Sequence, residues 1–267
     1  MKEDKPVLLQ IHNNIATITL NRSHVLNAFD DVSIQLLSQH LRQIQEDDAI
    51  RAVILRGSGK HFCAGADIAW MQRTIHYSKS ENEQDAFEFA KILNTFYHLN
   101  KPTITVVQGS VFGGAIGLVA CSDITIATID ATFCFSEAKL GLVPAIISPY
   151  VIRALGTRKA MYYMLTAETF LAKKALALGL INEVVKQENV EIELKKVLTL
   201  LQGNGKIAMQ TIKKLVHQLV DSLVLEEQME YTVDLIANIR VSQEAQERLT
   251  DFLVKKASAN KASKKRV

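Results

Sequence analysis

Two stretches read together decide the fold: Thr103-Ile104-Thr105-Val106-Val107, then Gly109-Ser110-Val111-Phe112-Gly113-Gly114-Ala115-Ile116-Gly117-Leu118. The first is a short apolar and β-branched run of the kind that fills a buried strand. The second is a glycine-punctuated turn leading into a segment that reads as a helix start. Earlier in the chain the order repeats: Ala52-Val53-Ile54-Leu55 reads as a strand and is followed by Gly57-Ser58-Gly59-Lys60-His61-Phe62-Cys63-Ala64-Gly65-Ala66-Asp67-Ile68. Backbone N–H groups near a helix start lack partners and sit at the positive end of its dipole, so two that converge can hold a developing oxyanion. Either turn alone carries little weight, because glycine is the default residue for tight backbone geometry.

Working outward, Val7-Leu8-Leu9-Gln10-Ile11-His12 and Ile15-Ala16-Thr17-Ile18-Thr19-Leu20 flank Asn13-Asn14 and predict a hairpin. Ile34, Leu37, Leu41 and Ile44 recur at helical spacing, as do Ala86, Phe89, Ala90, Leu93, Phe96 and Tyr97. The first of these helices joins two strands over a crossover length that suits a parallel sheet. Short strands are expected near Ile124-Thr125-Ile126-Ala127 and Thr132-Phe133-Cys134-Phe135. From Val151 onward the pattern is helical, broken by a short strand at Leu180-Ile181-Asn182-Glu183-Val184-Val185. The sequence thus predicts an α/β core, residues 1–200 at its widest with strands ending near 185, and a helical C-terminal region, 201–267, that begins around Gly203-Asn204-Gly205.

The chain has 267 residues, 48% of them apolar, enough for one large domain with a buried core. Net charge is +3 and the basic residues are scattered, apart from Lys261-Ala262-Ser263-Lys264-Lys265-Arg266, which reads as a frayed end; no nucleic-acid footprint is expected. Cys63, Cys121 and Cys134 form no even framework, which predicts free, buried thiols in a reducing compartment. No apolar run approaches the about 20 residues of a membrane span. The expected location is the cytoplasm, or a matrix with the presequence already absent.

Several chemistries fail on spacing. A Walker loop around Gly59-Lys60 would need Gly at Ile54 and Ser or Thr at His61. Gly113-Gly114-Ala115 breaks the dinucleotide pattern, and no acidic residue follows at the required distance. The seven histidines show neither HxH nor HExxH, so no metal is expected, and His61 reads as a solvated loop residue. No GxSxG elbow is present. Among 28 acidic residues, Glu137 differs by following the apolar strand that ends at Phe135-Ser136 and preceding Ala138-Lys139-Leu140-Gly141-Leu142-Val143-Pro144. Two readings stay open: a buried carboxyl with a raised pKa suited to proton transfer, or a carboxylate at a helix start.

In order, Asn21-Arg22 to Leu26-Asn27-Ala28, Phe62-Cys63-Ala64-Gly65-Ala66-Asp67-Ile68, Lys101-Pro102, Gly113-Gly114, Cys121-Ser122-Asp123 and Glu137 to Pro144 resemble the motif series of the crotonase superfamily, the enoyl-CoA hydratases and isomerases. Arg153-Ala154-Leu155-Gly156, Leu165-Thr166-Ala167-Glu168 and Ala175 to Leu180 are similar too. The resemblance implies a crotonase-like superhelix of β-β-α turns, a C-terminal helical region over the acyl pocket, and a homotrimer or a hexamer built as a dimer of trimers. It implies catalytic roles for Glu137 and for the backbone N–H groups of Ala66 and Gly114. It implies coenzyme A contacts at Leu26, Ala28, Ala64, Asp67, Ile68 and Gly113, with acyl-CoA as substrate and no separate cofactor.

The sequence departs from the hydratase pattern at Gly117, where typical hydratases carry a first glutamate. The finer likeness is to bacterial 3-methylglutaconyl-CoA hydratase-like members, through Gly113 to Val119, Phe135-Ser136-Glu137, Leu142 to Pro149 and His61 to Gln72. That likeness implies hydration of a 2-enoyl-CoA, with 3-methylglutaconyl-CoA of leucine catabolism as a candidate. The alternatives are an enoyl-CoA isomerase working with one glutamate and a non-catalytic acyl-CoA-binding protein.

Overall fold

The chain enters on a hairpin whose turn, Asn13-Asn14, has positive φ at both residues, the twist that two antiparallel strands demand. The computed structural model describes residues 5–220, 229, 233–234, 236–238 and 240–264. The hairpin strands β1 (Val7–His12) and β2 (Ile15–Leu20) pair with His12 opposite Ile15. Helix α1 (Asp31–Glu46) starts on a reciprocal Asp30–Ser33 capping box and buries Ile34, Leu37, Leu41 and Ile44. It delivers the chain to β3 (Ala52–Gly57), which runs parallel to β2. The hairpin, the helix and the parallel crossover all match the sequence reading.

A seven-residue helix, α2 (Ile68–Thr74), and the longer α3 (Lys79–Tyr97) lead to β4 (Thr103–Val107) and then β5 (Ser110–Phe112). Helix α4 (Gly114–Ala120) is followed by β6 (Ile124–Thr128) and β7 (Thr132–Cys134). Beyond these come α5 (Ser148–Leu155), α6 (Thr157–Thr166), β8 (Phe170–Leu171), α7 (Ala172–Leu178) and β9 (Glu183–Val185). The C-terminal part contains α8 (Val190–Gly203), α9 (Lys206–Val220) and α10 (Gln243–Lys264).

The larger sheet has the order β1-β2-β3-β4-β6-β9 and is parallel apart from the entry hairpin. Its central strands β3 and β4 are buried on both faces, which is why they read as continuous apolar runs. Ile18, Val53, Leu55 and Val107 face the main core, whereas Ile15, Ile54, Ile104, Val106 and Ile126 face α8 through Val190, Leu194 and Val197. The smaller sheet has the order β5-β7-β8. Chain leaving β4 or β6 passes at once into β5 or β7, so strands of the two sheets alternate along the sequence.

The structure differs from the sequence reading in four places, the first being that Ser110–Phe112, read as part of the glycine turn, forms β5. The strand expected over Leu180 to Val185 is paired only from Glu183, because Leu180 and Ile181 are buried in the turn that follows α7. Strand β8 is two residues long, too short to leave a pattern. The tail expected to fray is helical as far as Lys264, and residues 265–267 lie outside the described residues. Helix α9 is pinned to the core: Lys213 Nζ donates to Asp123 Oδ2 at 2.8 Å, and His217 stacks on Tyr97 with centroids 4.0 Å apart. Among the described residues no helix is long and apolar enough to cross a membrane.

Helix α4 packs against its neighbours at Gly117. A Cβ there would lie 2.4 Å from Ile147 Cγ2 and 3.2 Å from Leu93 Cδ1, both on fully buried side chains. A methyl group therefore has no room unless Ile147 moves, and overpacking of this kind costs about 1–3 kcal/mol. Gly117→Ala is expected to lower the urea midpoint accordingly; a wild-type midpoint for Gly117→Ala would contradict this packing.

Candidate active site

Phe29 and Ala66 form a parallel bridge in which Phe29 accepts from Asp67 N–H and donates to the Gly65 carbonyl, both at 2.8 Å. In a strand-like segment successive N–H groups point to opposite sides. Gly65 and Asp67 turn their pairing groups to Phe29, so the N–H of Ala66 is directed away from it. It has no acceptor among the described residues. Three residues earlier a second bridge, Cys63 with Val111, ties this segment to β5 through Cys63 N–H to the Ser110 carbonyl and Phe112 N–H to the Cys63 carbonyl. The small sheet is thereby extended as far as Ala66, alongside the turn that leaves β5.

That turn is made by Gly113, at φ +55° and ψ −125°, which caps α4. Residues with a Cβ avoid such a conformation. Its own N–H donates to the Cys134 carbonyl at 3.0 Å, which leaves the N–H of Gly114, at the first position of α4, without an acceptor. A Cβ on Gly113 would lie 3.2 Å from Glu137 Oε1, so the absent side chain also makes room for the carboxyl group.

Glu137 opens a 3-10 turn, Glu137–Leu140, after Ser136. The two readings of this residue both hold: it starts a helical turn, and its carboxyl is buried. The residue as a whole is half-buried, but Oε2 is sealed from solvent and has no hydrogen-bond partner among the described residues. Burial raises its pKa from the ordinary 4.5 to about 7, against a smaller opposing pull from its own backbone N–H.

All nine residues singled out from the sequence, Glu137, Ala66, Gly114, Leu26, Ala28, Ala64, Asp67, Ile68 and Gly113, line one cavity of about 1190 Å³. Their side chains are committed to different degrees. The carboxylate of Asp67 caps α2 by accepting from Ala69 and Trp70 N–H and takes Arg22 Nη2 at 2.9 Å. Arg22 also donates to the Ala28 carbonyl and pairs with Asp30, so this wall is cross-braced. Leu26, in the left-handed region at φ 56°, is exposed at the mouth. His61 is not solvated as expected: it is half-buried, and its Nδ1 accepts from Ser110 N–H at 3.0 Å. Cys63, Cys121 and Cys134 are buried free thiols, and burial pushes Cys63 up to about 12.

Gly117 is not on the cavity wall; Ile147 is, in front of it. The wall also contains Trp70, Met71, Phe112 and Ile146, side chains expected from the sequence to shape the pocket, and Asp85, Phe89 and Arg240, whose part the sequence reading missed. Asp85 did leave a signal, a charged residue one turn before Phe89 on the inner stripe of α3. Arg240, 155 positions away, left none. Helix α10 packs on the Glu137–Leu140 turn and on α2, and Val233 and Ile236 pack on Ala86, Ala90 and Ala145. The C-terminal region thus closes one side of the cavity. Among the described residues no cluster of His, Cys, Asp or Glu is arranged to hold a metal ion.

The chain is similar to known proteins over most of its length. A solved structure described as an enoyl-CoA hydratase from Shewanella pealeana is 40% identical, with a TM-score of 0.80 and 95% of each chain covered. Crotonyl-CoA hydratase of Syntrophomonas wolfei is 28% identical over 97% of this chain and 98% of its own. A trans-2-decenoyl-[acyl-carrier-protein] isomerase of Streptococcus mutans is 27% identical over 80% of this chain and 82% of its own. The family model described as enoyl-CoA hydratase/isomerase matches residues 10–261, and the chain belongs to that family, the crotonase superfamily of enzymes.

Proposed function

We propose that this chain adds water to a 2-enoyl-CoA thioester, with Ala66 and Gly114 N–H groups holding the thioester oxygen and Glu137 moving the proton. The observation that carries this is the buried, unpartnered Glu137 Oε2 in the same cavity as two backbone N–H groups that lack acceptors. Water attacks the β-carbon while ionised Glu137 takes one of its protons. The electron pair of the alkene moves to the thioester, and the resulting enolate oxygen accepts from the two N–H groups. Glu137 then gives the proton to the α-carbon, so one water is added and the carboxylate is restored. Each N–H of such a pair is worth about 3 kcal/mol of transition-state stabilisation. Coenzyme A would lie along Leu26, Ala28, Ala64, Asp67, Ile68 and Gly113, and no separate cofactor is required.

A second reading is favoured by Gly117. With Ile147 filling the space in front of it, Glu137 is left without the partner glutamate that hydratases of the superfamily are expected to have. A single carboxylate suffices to move a proton from C2 to C4 of a 3-enoyl-CoA without uptake of water. Within the hydratase reading, 3-methylglutaconyl-CoA is the candidate substrate, because its second carboxylate, or a water that it orders, would help to replace the missing group. Loss of enoyl-thioester absorbance with crotonyl-CoA or 3-methylglutaconyl-CoA is expected; no loss with either, together with conjugation of a 3-enoyl-CoA, would establish the isomerase instead.

Replacement of Glu137 by Gln should lower kcat by about 10²–10⁴. Ala66→Pro, which removes one N–H, should lower it by about 10²–10³ in a protein that still folds. In the wild type, kcat/KM should rise with pH through about 7 as Glu137 ionises, an inflection that Glu137→Gln lacks. A profile centred near 4.5 would contradict the assignment.

The same carboxyl should limit stability. The folded protein holds the Glu137 proton more tightly than the unfolded chain, so stability falls as pH rises from about 4.5 to about 7, by up to about 3 kcal/mol. Urea unfolding should therefore find Glu137→Gln more stable than wild type at pH 8 and equal to it near pH 4. Equal midpoints at both pH values would show that the carboxyl is not buried in solution.

The homotrimer, or hexamer built as a dimer of trimers, belongs to the same proposal. It is supported by apolar side chains left exposed on α6 (Met161, Leu165) and α9 (Ile207, Ile212, Leu215). Light scattering on the eluting protein should give three or six times the 29.7 kDa chain mass, and a monomer would overturn it.

A further inference from the structure

Away from Glu137, the cavity wall contains a buried ion pair. Arg240 Nη1 donates to Asp85 Oδ2 at 2.8 Å, and each side chain is only 15% exposed. The guanidinium lies over the Trp70 ring, 5.6 Å from its centroid. Trp70 Nε1 is sealed from solvent without a hydrogen bond of full geometry, yet it sits near enough to Asp85 to favour the charged carboxylate. Burial acts more strongly in the opposite direction and raises the Asp85 pKa, so its negative charge is weakly held.

Such a pair is a poor device for stability, because desolvation of two charges commonly cancels their attraction and apolar residues of similar size would serve as well. Its donors point to another use. A guanidinium has five N–H donors, and Asp85 takes one. Among the described residues no other group accepts from it, its remaining nitrogens are not among the sealed, unpartnered atoms, and Arg240 is part of the cavity wall, so these donors are available to a ligand there. Their distance from the reacting centre follows from α3. Phe89 approaches within 3.0 Å of where a Cβ of Gly114 would lie, and Asp85 is one turn earlier, about 6 Å along the helix axis. The span between is that of a short acyl chain, and it is bordered by Ala86 and Ile236.

We infer that Arg240, held by Asp85 and stacked on Trp70, binds a carboxylate at the far end of a short acyl chain, which makes the pocket selective for dicarboxylic acyl thioesters. The inference rests on the reading of the cavity as an acyl-CoA site. A carboxylate would take the free edge of the guanidinium through two charge-assisted hydrogen bonds. Removal of such a bond costs about 10- to 100-fold in affinity.

Calorimetric binding of two unreactive thioesters of equal chain length, glutaryl-CoA and valeryl-CoA, tests it without depending on turnover. Wild type should bind glutaryl-CoA more tightly by about 10- to 100-fold. Arg240→Gln should bring the ratio near one, and Arg240→Lys, which keeps the charge and the pairing with Asp85, should retain part of it. Equal affinities in wild type, or an Arg240→Gln protein that weakens both ligands equally, would overturn the inference while leaving the acyl-CoA reading intact. Failure of both thioesters to bind wild type would overturn both.

Discussion

The site depends on one pairing: residues 63–66 run between Phe29 on one side and β5 on the other. The bridge to Phe29 uses the Gly65 carbonyl and the Asp67 N–H and leaves the N–H of Ala66 without an acceptor among the described residues. Because the N–H of Ala66 is directed away from Phe29, it remains available beside the turn where Gly114 starts α4. The large parallel sheet supports this arrangement by delivering the chain from β3 and β4 to the same edge. Bulky changes at Phe62, Cys63 or Val111, all fully buried, would act on the site by shifting these strands, without touching anything in the cavity.

The second constraint is the placement of a carboxyl group where water does not solvate it. Gly113 adopts a conformation closed to other residues, and its missing side chain leaves space for Glu137 Oε1. Helix α10 packs on the turn Glu137–Leu140 that carries the group. Burial lifts its pKa into the range where both protonation states are accessible near neutrality, which is what a proton shuttle requires and what a structural carboxylate would avoid. The proposed chemistry and the instability of the ionised form are two consequences of that one desolvation.

The features legible in the sequence were those with a local cause. The Asn13-Asn14 turn, the apolar stripe of α1 and the continuous apolar strands β3 and β4 each follow from a pattern within a few residues. Of the small sheet only β7 was legible, because β5 and β8 are three and two residues long and the extension to Ala66 rests on single bridges. Glycine turns gave the location of the candidate site but not its geometry; the motif series supplied the roles, and the bridge at Ala66 and the helix start at Gly114 supply the physical reason why these two N–H groups stay free. Gly117 could be read as the absence of a side chain, but not that Ile147 fills the place. The Arg240–Asp85 pair joins positions far apart in sequence, and only the return of the C-terminal region over α3 brings them together.

The account turns on Glu137 as a buried carboxyl that titrates near neutrality. Infrared difference spectra of the protonated carboxyl stretch, recorded against Glu137→Gln across pH 4 to 9, measure this directly. A band that is lost with a midpoint near 7 is the predicted result. A midpoint near 4.5, the value of a solvated glutamate, would contradict the account.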